Sequence, residues 1–254
     1  MLEIKNFCAG YPGNPVLENI SLTVPHGAIT VIAGPNGCGK STLLKALAGV
    51  LPAAGSAVLD GQELLTLTGR ELARKVAFLP QNRQIPEIAV KNLVLHGRFP
   101  YLSYPRRYSR SDERIAQKAM EHMGVAELAD RKISTLSGGQ RQKVYIAMAL
   151  AQDTPVVLLD EPNSFLDIAH QLQLMQHARA LAAEGKTVVL VLHDLPMAME
   201  CADHLAVLSE GTCLFQGSPE AAFLSGSLTG AFGVQLQRVQ TPDGWKYYFS
   251  TKNP

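Results

Sequence analysis

The stretch "GPNGCGKST", Gly34 to Thr42, constrains the fold of this chain more than any other. It follows the apolar run "AITVIA" and precedes "LLKALAG", so a glycine-rich turn joins a buried strand to a helix. Such a turn presents successive backbone N–H groups beside a helix N-terminus, an arrangement that binds phosphate. The sequence therefore predicts a phosphate-binding loop at the edge of a parallel sheet.

This loop offers groups for a nucleoside triphosphate and its Mg²⁺ ion. Lys40 would reach the β- and γ-phosphates, and Ser41 would offer its hydroxyl to Mg²⁺. A glycine turn that only caps a helix is the alternative, and the complete motif argues against it. The other residues assigned to nucleotide binding in the loop are Gly34, Pro35, Asn36, Gly37, Cys38, Gly39 and Thr42.

A second glycine turn, "LSGGQ", lies far downstream and also opens a helix. Ser137 is its expected N-cap, and the amides of Gly138 and Gly139 could add hydrogen bonds to a phosphate. Gln140 completes the motif. An ordinary capped helix is the alternative interpretation.

Polar residues end the apolar runs that predict the remaining strands. "VVLLDEP" ends in Asp160, which could hold the Mg²⁺ shell, and Glu161, which could orient or deprotonate an attacking water. Gln81 follows "VAFLP" and could touch Mg²⁺ or the water, and His193 ends "TVVLVLH". Two solvated acids at a strand end are the alternative for the acidic pair.

These apolar runs predict an α/β fold in which helices alternate with parallel strands. Residues 1–86 and 153–230 would form a nucleotide-binding core with an antiparallel β subdomain near its start. Strand signals disappear over 87–152, which predicts an inserted helical subdomain that carries "LSGGQ". Residues 231–254 predict a C-terminal β-hairpin around "TPDG".

Composition narrows the location and partners of the chain. A net charge of +1 over 254 residues gives no overall attraction to nucleic acid, and no apolar run approaches the roughly 18 residues of a membrane span. The opening "MLEIKNF" lacks the apolar run of a signal peptide, so we expect a cytosolic chain. Cys38, at a helix N-terminus beside Lys40, is expected to have a lowered thiol pKa, and a small residue that simply fits the loop is the alternative interpretation.

Together these motifs resemble the ATP-binding subunit of ABC transporters over nearly the whole chain. The resemblance is greatest to the ATPases of bacterial ferric-siderophore importers, through "GPNGCGKSTLL", "GRFPY", "TLSGGQRQ", "IAMALAQDTPVVLLDEP", "LDIAHQL" and "VLHDL". It implies the P-loop NTPase fold of ABC ATPases, with ATP and Mg²⁺ as ligands.

The resemblance also assigns roles to individual positions. It makes Gln81 the Q-loop glutamine, Glu161 the catalytic glutamate and His193 the switch histidine. Leu136 to Gln140 become the signature, Ser164 to Asp167 the D-loop, and Tyr11 the aromatic residue that stacks on adenine. Asn163 stands where family members commonly carry Thr, so details of the D-loop are open.

As partners, the resemblance implies a second copy, integral membrane permease subunits and, indirectly, a periplasmic or surface substrate-binding protein. In such a homodimer the signature of one copy closes over the nucleotide in the P-loop of the other, at the cytoplasmic face of the inner membrane. An importer ATPase for haem or cobalamin, or a soluble ABC ATPase acting on nucleic acid or ribosomes, is the alternative. We expect the arginine- and tyrosine-rich "GRFPYLSYPRRYSR" to dock a permease, and a solvated surface, followed by a single-stranded nucleic-acid site, is the alternative.

Overall fold

A computed structural model describes residues 1–81, 83–164, 166–242 and 244–250 of the chain. Its strands are β1 (Leu2–Tyr11), β2 (Asn14–Val24), β3 (Ile29–Ala33), β4 (Ala53–Leu59), β5 (Gln62–Glu63), β6 (Val76–Leu79), β7 (Val156–Asp160), β8 (Thr187–Val191), β9 (His204–Ser209), β10 (Thr212–Gly217), β11 (Gln235–Thr241) and β12 (Gly244–Ser250). Its α-helices are α1 (Lys40–Leu47), α2 (Gly69–Leu72), α3 (Val90–His96), α4 (Arg110–His122), α5 (Gly138–Ala151), α6 (Ile168–Ala183), α7 (Leu195–Cys201), α8 (Pro219–Ser225) and α9 (Ser227–Phe232).

The central sheet has six strands in the order β10-β9-β3-β8-β7-β6. All its neighbours run parallel except β10, which pairs antiparallel with β9. Every residue of β3, β7 and β8 is buried, which explains why their sequences are continuous apolar runs rather than alternating ones. The predicted α/β fold is confirmed.

Two other sheets flank this one. A four-stranded sheet has the order β2-β1-β4-β5, and its β1–β2 pair is the antiparallel pair that the sequence predicted. The third sheet is the pair β11–β12, the two strands on either side of "TPDG".

Four strands, β4, β5, β9 and β10, were missed in the sequence. Tight turns join them in pairs, through Asp60–Gly61 and Glu210–Gly211, and all four turn residues have positive φ. An acidic residue followed by Gly, both with positive φ, is typical of a two-residue hairpin turn. These two dipeptides are the sequence features from which the two hairpins, and so the four missed strands, could have been predicted.

The helices α3, α4 and α5 follow one another between β6 and β7 and pack on a shared apolar core. Ser109 caps α4, where its side chain accepts from the Asp112 amide and Asp112 bonds back to Ser109. Between residues 87 and 152 the described backbone contains one isolated β-bridge, Ala89–Lys132, and no named strand. The subdomain limits at 87 and 152 stay a prediction.

The buried face of α6 differs from the one that the sequence predicts. The spacing of Ile168, Leu172, Met175 and Ala182 predicts that they lie close to one face of a helix that stops at Gly185, but Ile168 is 76% exposed and Leu172 is 57% exposed. The buried positions start almost two turns later and are Leu174, Met175, Ala178, Leu181 and Ala182. An apolar period fixes a stripe along a helix, whereas the contacts decide where along the helix that stripe is covered.

Arg98, the first arginine of the stretch proposed as a docking surface, is instead a core residue. Its guanidinium bonds Asp112 Oδ1 at 3.0 Å and the Ala151 carbonyl at 3.0 Å, and it lies 3.9 Å from the Tyr101 ring centroid. Burial raises the pKa of Asp112, but hydrogen bonds from Ser109 and the charge of Arg98 outweigh it, so that pKa lies below its ordinary value. Arg98 is therefore unavailable to any phosphate or partner at the surface.

The substitution Asp112→Asn is expected to lower the free energy of unfolding by about 3–5 kcal/mol, because it leaves the buried Arg98 charge without a counter-charge. Urea unfolding at neutral pH measures the loss. The matched control is Asp130→Asn, which removes an exposed ion pair with Lys91 and should cost at most about 1 kcal/mol. Equal losses of unfolding free energy in both variants would show that the buried Arg98–Asp112 pair stabilises the fold no more than the exposed pair does.

Candidate active site

The phosphate loop requires glycine at some positions because a side chain would clash, and at another because of the backbone conformation. A Cβ on Gly34 would lie 2.2 Å from the Leu208 carbonyl oxygen, and one on Gly39 would lie 2.4 Å from the Leu17 side chain. Gly37 has free space around it but a φ of 80°, which other residues rarely adopt. The loop therefore packs closely against β2 and the end of β9 and turns without strain.

Lys40 lies inside this loop and is 5% exposed. Its ammonium donates to the carbonyl oxygens of Gly34 and Pro35, both at 2.8 Å. The positive charge is thus held inside the loop, beside the N-terminus of α1. Such a position favours an anion.

Ser41 and Asp160 meet across the end of the sheet. The Ser41 hydroxyl donates to Asp160 Oδ1 at 3.0 Å, which joins the first turn of α1 to the last residue of β7. Asp160 is 2% exposed, and burial raises its pKa, helped by the neighbouring Glu161 charge and opposed by the Ser41 bond and two lysines. A cation beside this carboxylate would offset the cost of keeping it ionised.

Glu161 is the centre of a second cluster, formed by the ends of three strands. Gln81, after β6, donates to Glu161 Oε2, and His193, after β8, places Nε2 2.5 Å from Oε1. The Ser164 hydroxyl approaches Oε2 at 3.4 Å. Glu161 is 6% exposed, whereas the side chain of His193 is 51% exposed. The carboxylate is therefore held from several sides inside the site.

The structure thus divides the residues predicted for Mg²⁺ between the two clusters. Ser41 and Asp160 come together as expected. Gln81 contacts Glu161. Its contact with Mg²⁺ or the attacking water stays a prediction.

Glu161 also has an unusual backbone, with a φ of 49°. Its N–H bonds the Val191 carbonyl at 3.1 Å, and its own carbonyl accepts from the Ser164 amide at 3.2 Å. A left-handed residue other than glycine costs of order 1–3 kcal/mol and persists only where its surroundings enforce it. The conformation of Glu161 is therefore imposed by its neighbours.

Tyr11 stands at the end of β1 and lines a shallow, open depression with the turn that follows it and the segment Pro52–Ala54. Lys45, on α1, donates to the Tyr11 hydroxyl at 3.2 Å, which brings the aromatic ring beside the helix that follows the phosphate loop. Lys45 was missed in the sequence, although it stands one turn after Ser41.

The signature turn presents its polar groups outward. Ser137 is the N-cap of α5 and accepts from the Gln140 amide, while the Gln140 side chain accepts from the Ser137 N–H. Ser137 and Gly138 are exposed. Among the described residues, no hydrogen bond joins the signature to the phosphate loop.

Asp167 begins α6 and accepts from the His170 amide at 2.9 Å and from the His170 ring at 2.7 Å. The D-loop position Phe165 lies outside the described residues. His170 and His177 lie one heptad apart, which in the sequence predicts a solvated helix face rather than a shared metal site, but His177 is half-buried. The His177 ring centroid lies 5.1 Å from that of His122 with the two rings tilted, and burial lowers the pKa of His177.

The structure contradicts the lowered thiol pKa that the sequence predicts for Cys38. It is 4% exposed, and burial raises the pKa of its thiol more strongly than the neighbouring Lys40 lowers it. The helix N-terminus and the lysine were the features visible in the sequence, while burial of the thiol was not. Cys38 therefore serves as a small buried residue of the loop.

An α/β sheet whose strand ends hold a phosphate loop, a buried Asp–Ser pair and a clamped glutamate defines a P-loop ATPase. The family model for ABC transporters matches residues 17–164, which is more than half of the chain. The chain belongs to the ABC transporter family, as one of its ATP-binding subunits.

Two curated relatives of this chain are ATP-binding proteins of different transport systems. The ferric enterobactin transport ATP-binding protein FepC of Escherichia coli (strain K12) is 42% identical, over 95% of this chain and 90% of its own length. The hemin import ATP-binding protein HmuV of Nocardia farcinica (strain IFM 10152) is 41% identical, over 91% of this chain and 80% of its own.

Solved structures give the same fold. A chain of an inward-facing ABC transporter assigned to the metal-chelate type aligns with a TM-score of 0.83 at 27% identity, over 99% of this chain and 98% of that one. The dimeric structure of MJ0796, a bacterial ABC transporter cassette, aligns with a TM-score of 0.74 at 28% identity, over 86% of this chain and 99% of that one.

N-ethylmaleimide at neutral pH is expected to label Cys8 first, because Cys8 is exposed. Cys38, Cys201 and Cys213 should react slowly, since burial raises the pKa of each thiol, that of Cys201 to about 12. Mass spectrometry of tryptic peptides follows the order of labelling. Rapid inactivation that Cys38→Ala prevents would contradict this expectation, and Cys8→Ser serves as the control.

Proposed function

We propose that this chain works as a homodimer at the cytoplasmic face of the inner membrane, where its ATP hydrolysis powers import of a ferric siderophore or a related iron chelate. The single observation that carries the hydrolytic part is Glu161, buried and clamped by Gln81 and His193 beside the Ser41–Asp160 pair. The chelate is supported by relatives such as the ferric enterobactin system.

In this proposal Glu161 is the base that takes a proton from the attacking water. Its carboxylate faces the exposed ring of His193 on one side and the Gln81 amide on the other, so both neighbours restrict where a water can stand. Lys40 and the loop amides bind the phosphates, and Tyr11 stacks on the adenine ring.

Mg²⁺ suits the oxygen ligands at the end of β7. The Ser41 hydroxyl and the Asp160 carboxylate would hold it, directly or through its water shell. Burial of Asp160 adds a reason, because a cation stabilises the charge that burial disfavours. When bound, the ion would neutralise charge on the β- and γ-phosphates.

A second copy explains why the chain carries two phosphate-binding turns. Ser137 and Gly138 are exposed at the N-terminus of α5, which supports a role for them at the nucleotide site of another molecule. A twofold axis would repeat that contact and generate two equal sites. The similar MJ0796 cassette has been solved as a dimer.

The membrane part of the system would be supplied by other chains. Among the described residues, no helix combines the length and the apolar composition needed to cross a bilayer. We propose that integral permease subunits carry the chelate and receive it from a periplasmic or surface binding protein. Arg98 of "GRFPYLSYPRRYSR" is buried, so we propose that exposed residues of this stretch, such as Phe99 and Tyr104, contact the permease.

Replacing the proposed base tests hydrolysis and dimerisation together. Glu161→Gln should bind ATP with near-normal affinity, hydrolyse it at least about 100-fold more slowly and accumulate as an ATP-bound dimer. Phosphate release and size-exclusion chromatography with light scattering measure the two effects. Glu200→Gln, an exposed acid on α7, is the control. A variant that stays monomeric at saturating ATP would argue against the homodimer.

Transport is tested in the native cell. Affinity purification of the tagged chain from membranes in mild detergent should recover a polytopic permease, and deletion of this chain should abolish uptake of ⁵⁵Fe-labelled siderophores. Uptake of haem or cobalamin, measured in parallel, identifies the alternative substrates. Recovery of nucleic acid or ribosomes in place of a permease would overturn the transport assignment and leave the ATPase intact.

A further inference from the structure

The strained backbone at Glu161 raises the question of what holds it in place. Its φ of 49° lies in the left-handed region, and it precedes Pro162, which restricts the preceding residue further. The bonds to Val191 and Ser164 fix the peptide groups of Glu161 itself. A further restraint acts on the next carbonyl, that of Pro162, and it comes from the helix that carries the signature.

This restraint is the side chain of Gln142, in the second turn of α5. Gln142 is 5% exposed and donates its amide Nε2 to the Pro162 carbonyl oxygen at 2.5 Å. Its other amide atom, Oε1, accepts from Arg83 Nη2 at 2.7 Å. Both ends of one buried amide are therefore occupied, by groups from two different segments.

Arg83 is itself held firmly. Its guanidinium lies 4.5 Å from the centroid of the Tyr145 ring, one turn further along α5, and the Tyr145 hydroxyl bonds the Gln84 carbonyl at 2.7 Å. The segment that follows Gln81 is thus attached to α5 at two points. Stacking and a fixed fork geometry make arginine suited to such a position.

We infer that Gln142 and Arg83 are positioning residues of the ATPase site, which fix the Pro162 carbonyl and so hold Glu161 in the conformation that directs its carboxylate to Gln81 and His193. The same bridge connects three parts of the site: the segment after β6, the signature helix and the turn after β7. A shift of α5 at its N-terminus would reach Glu161 through one side chain. The inference rests on the proposed role of Glu161 as the hydrolytic base.

Gln142 permits a sharp test, because its two bonds need different atoms. Gln142→Glu keeps an acceptor for Arg83 and even strengthens it, but it loses the donor to Pro162. Gln142→Leu loses both bonds and keeps the volume. Arg83→Met keeps apolar contact with Tyr145 but loses both the bond to Gln142 and the guanidinium stacking on the Tyr145 ring. Lys143→Ala, next along the same helix and bonded to Gln173, is the matched control.

Steady-state ATP hydrolysis gives the decisive quantities, kcat and KM. Gln142→Glu and Gln142→Leu should both lower kcat between about 10-fold and 100-fold, because small misplacement of a reacting group has such effects. KM for ATP should change by less than about twofold, since the nucleotide-binding loop is untouched. Lys143→Ala should match the wild type in both.

Coupling between the two residues is measured in the double variant. Adding Arg83→Met to Gln142→Leu should lower kcat no further, because both changes break the same bridge. Urea unfolding of each variant establishes the folded fraction, and kcat is expressed per folded molecule. Independent, multiplicative losses would contradict a shared bridge.

A kcat for Gln142→Glu within about twofold of the wild type would overturn the inference, as would losses that disappear once kcat is corrected for folding. The variant Glu161→Gln, assayed in parallel, distinguishes failure of the proposed base from failure of the bridge. If Glu161→Gln still turns over ATP at the wild-type rate, the proposed base is wrong. If it is inactive while the Gln142 variants are normal, only the bridge is wrong.

Discussion

The parallel pairing of β3, β8, β7 and β6 is the constraint on which the rest of the molecule depends. Because these strands run in one direction, the segments that leave them emerge at one edge of the sheet. The register places Asp160 opposite Val191, so the end of β7 and the end of β8 lie side by side. Residues distant in sequence become neighbours by this geometry alone, before any side chain makes a contact.

Much of this arrangement could be predicted from the sequence. Apolar runs reveal buried parallel strands, and the polar residues that end them mark the edge where ligands bind. The positions of Lys40, Asp160 and Glu161 follow from that rule. The different roles of the two glycine turns were implied only by the resemblance to ABC ATPases.

Other features could not be predicted, for reasons that are physical. Periodicity does not report where a helix is covered, so Ile168 and Leu172 were placed on a buried face. Local charges do not report burial, so Cys38 was given a lowered pKa. Arg98 and Gln142 are polar residues of ordinary surface types, and only the fold shows that both are buried and fully engaged. In each case the missing information is tertiary packing.

The lysine in the phosphate loop shows how such packing prepares a site for its ligand. A free lysine side chain carries about 2 kcal/mol of rotamer entropy, which is lost when its ammonium is fixed. In this chain the Gly34 and Pro35 carbonyl oxygens already fix Lys40, so its side-chain entropy is lost on folding rather than on ligand binding. Two of the three ammonium protons go to those carbonyls, so a phosphate oxygen binds the third proton or replaces a carbonyl. A negatively charged phosphate oxygen is a stronger acceptor than a neutral carbonyl oxygen, so the loop favours anionic ligands.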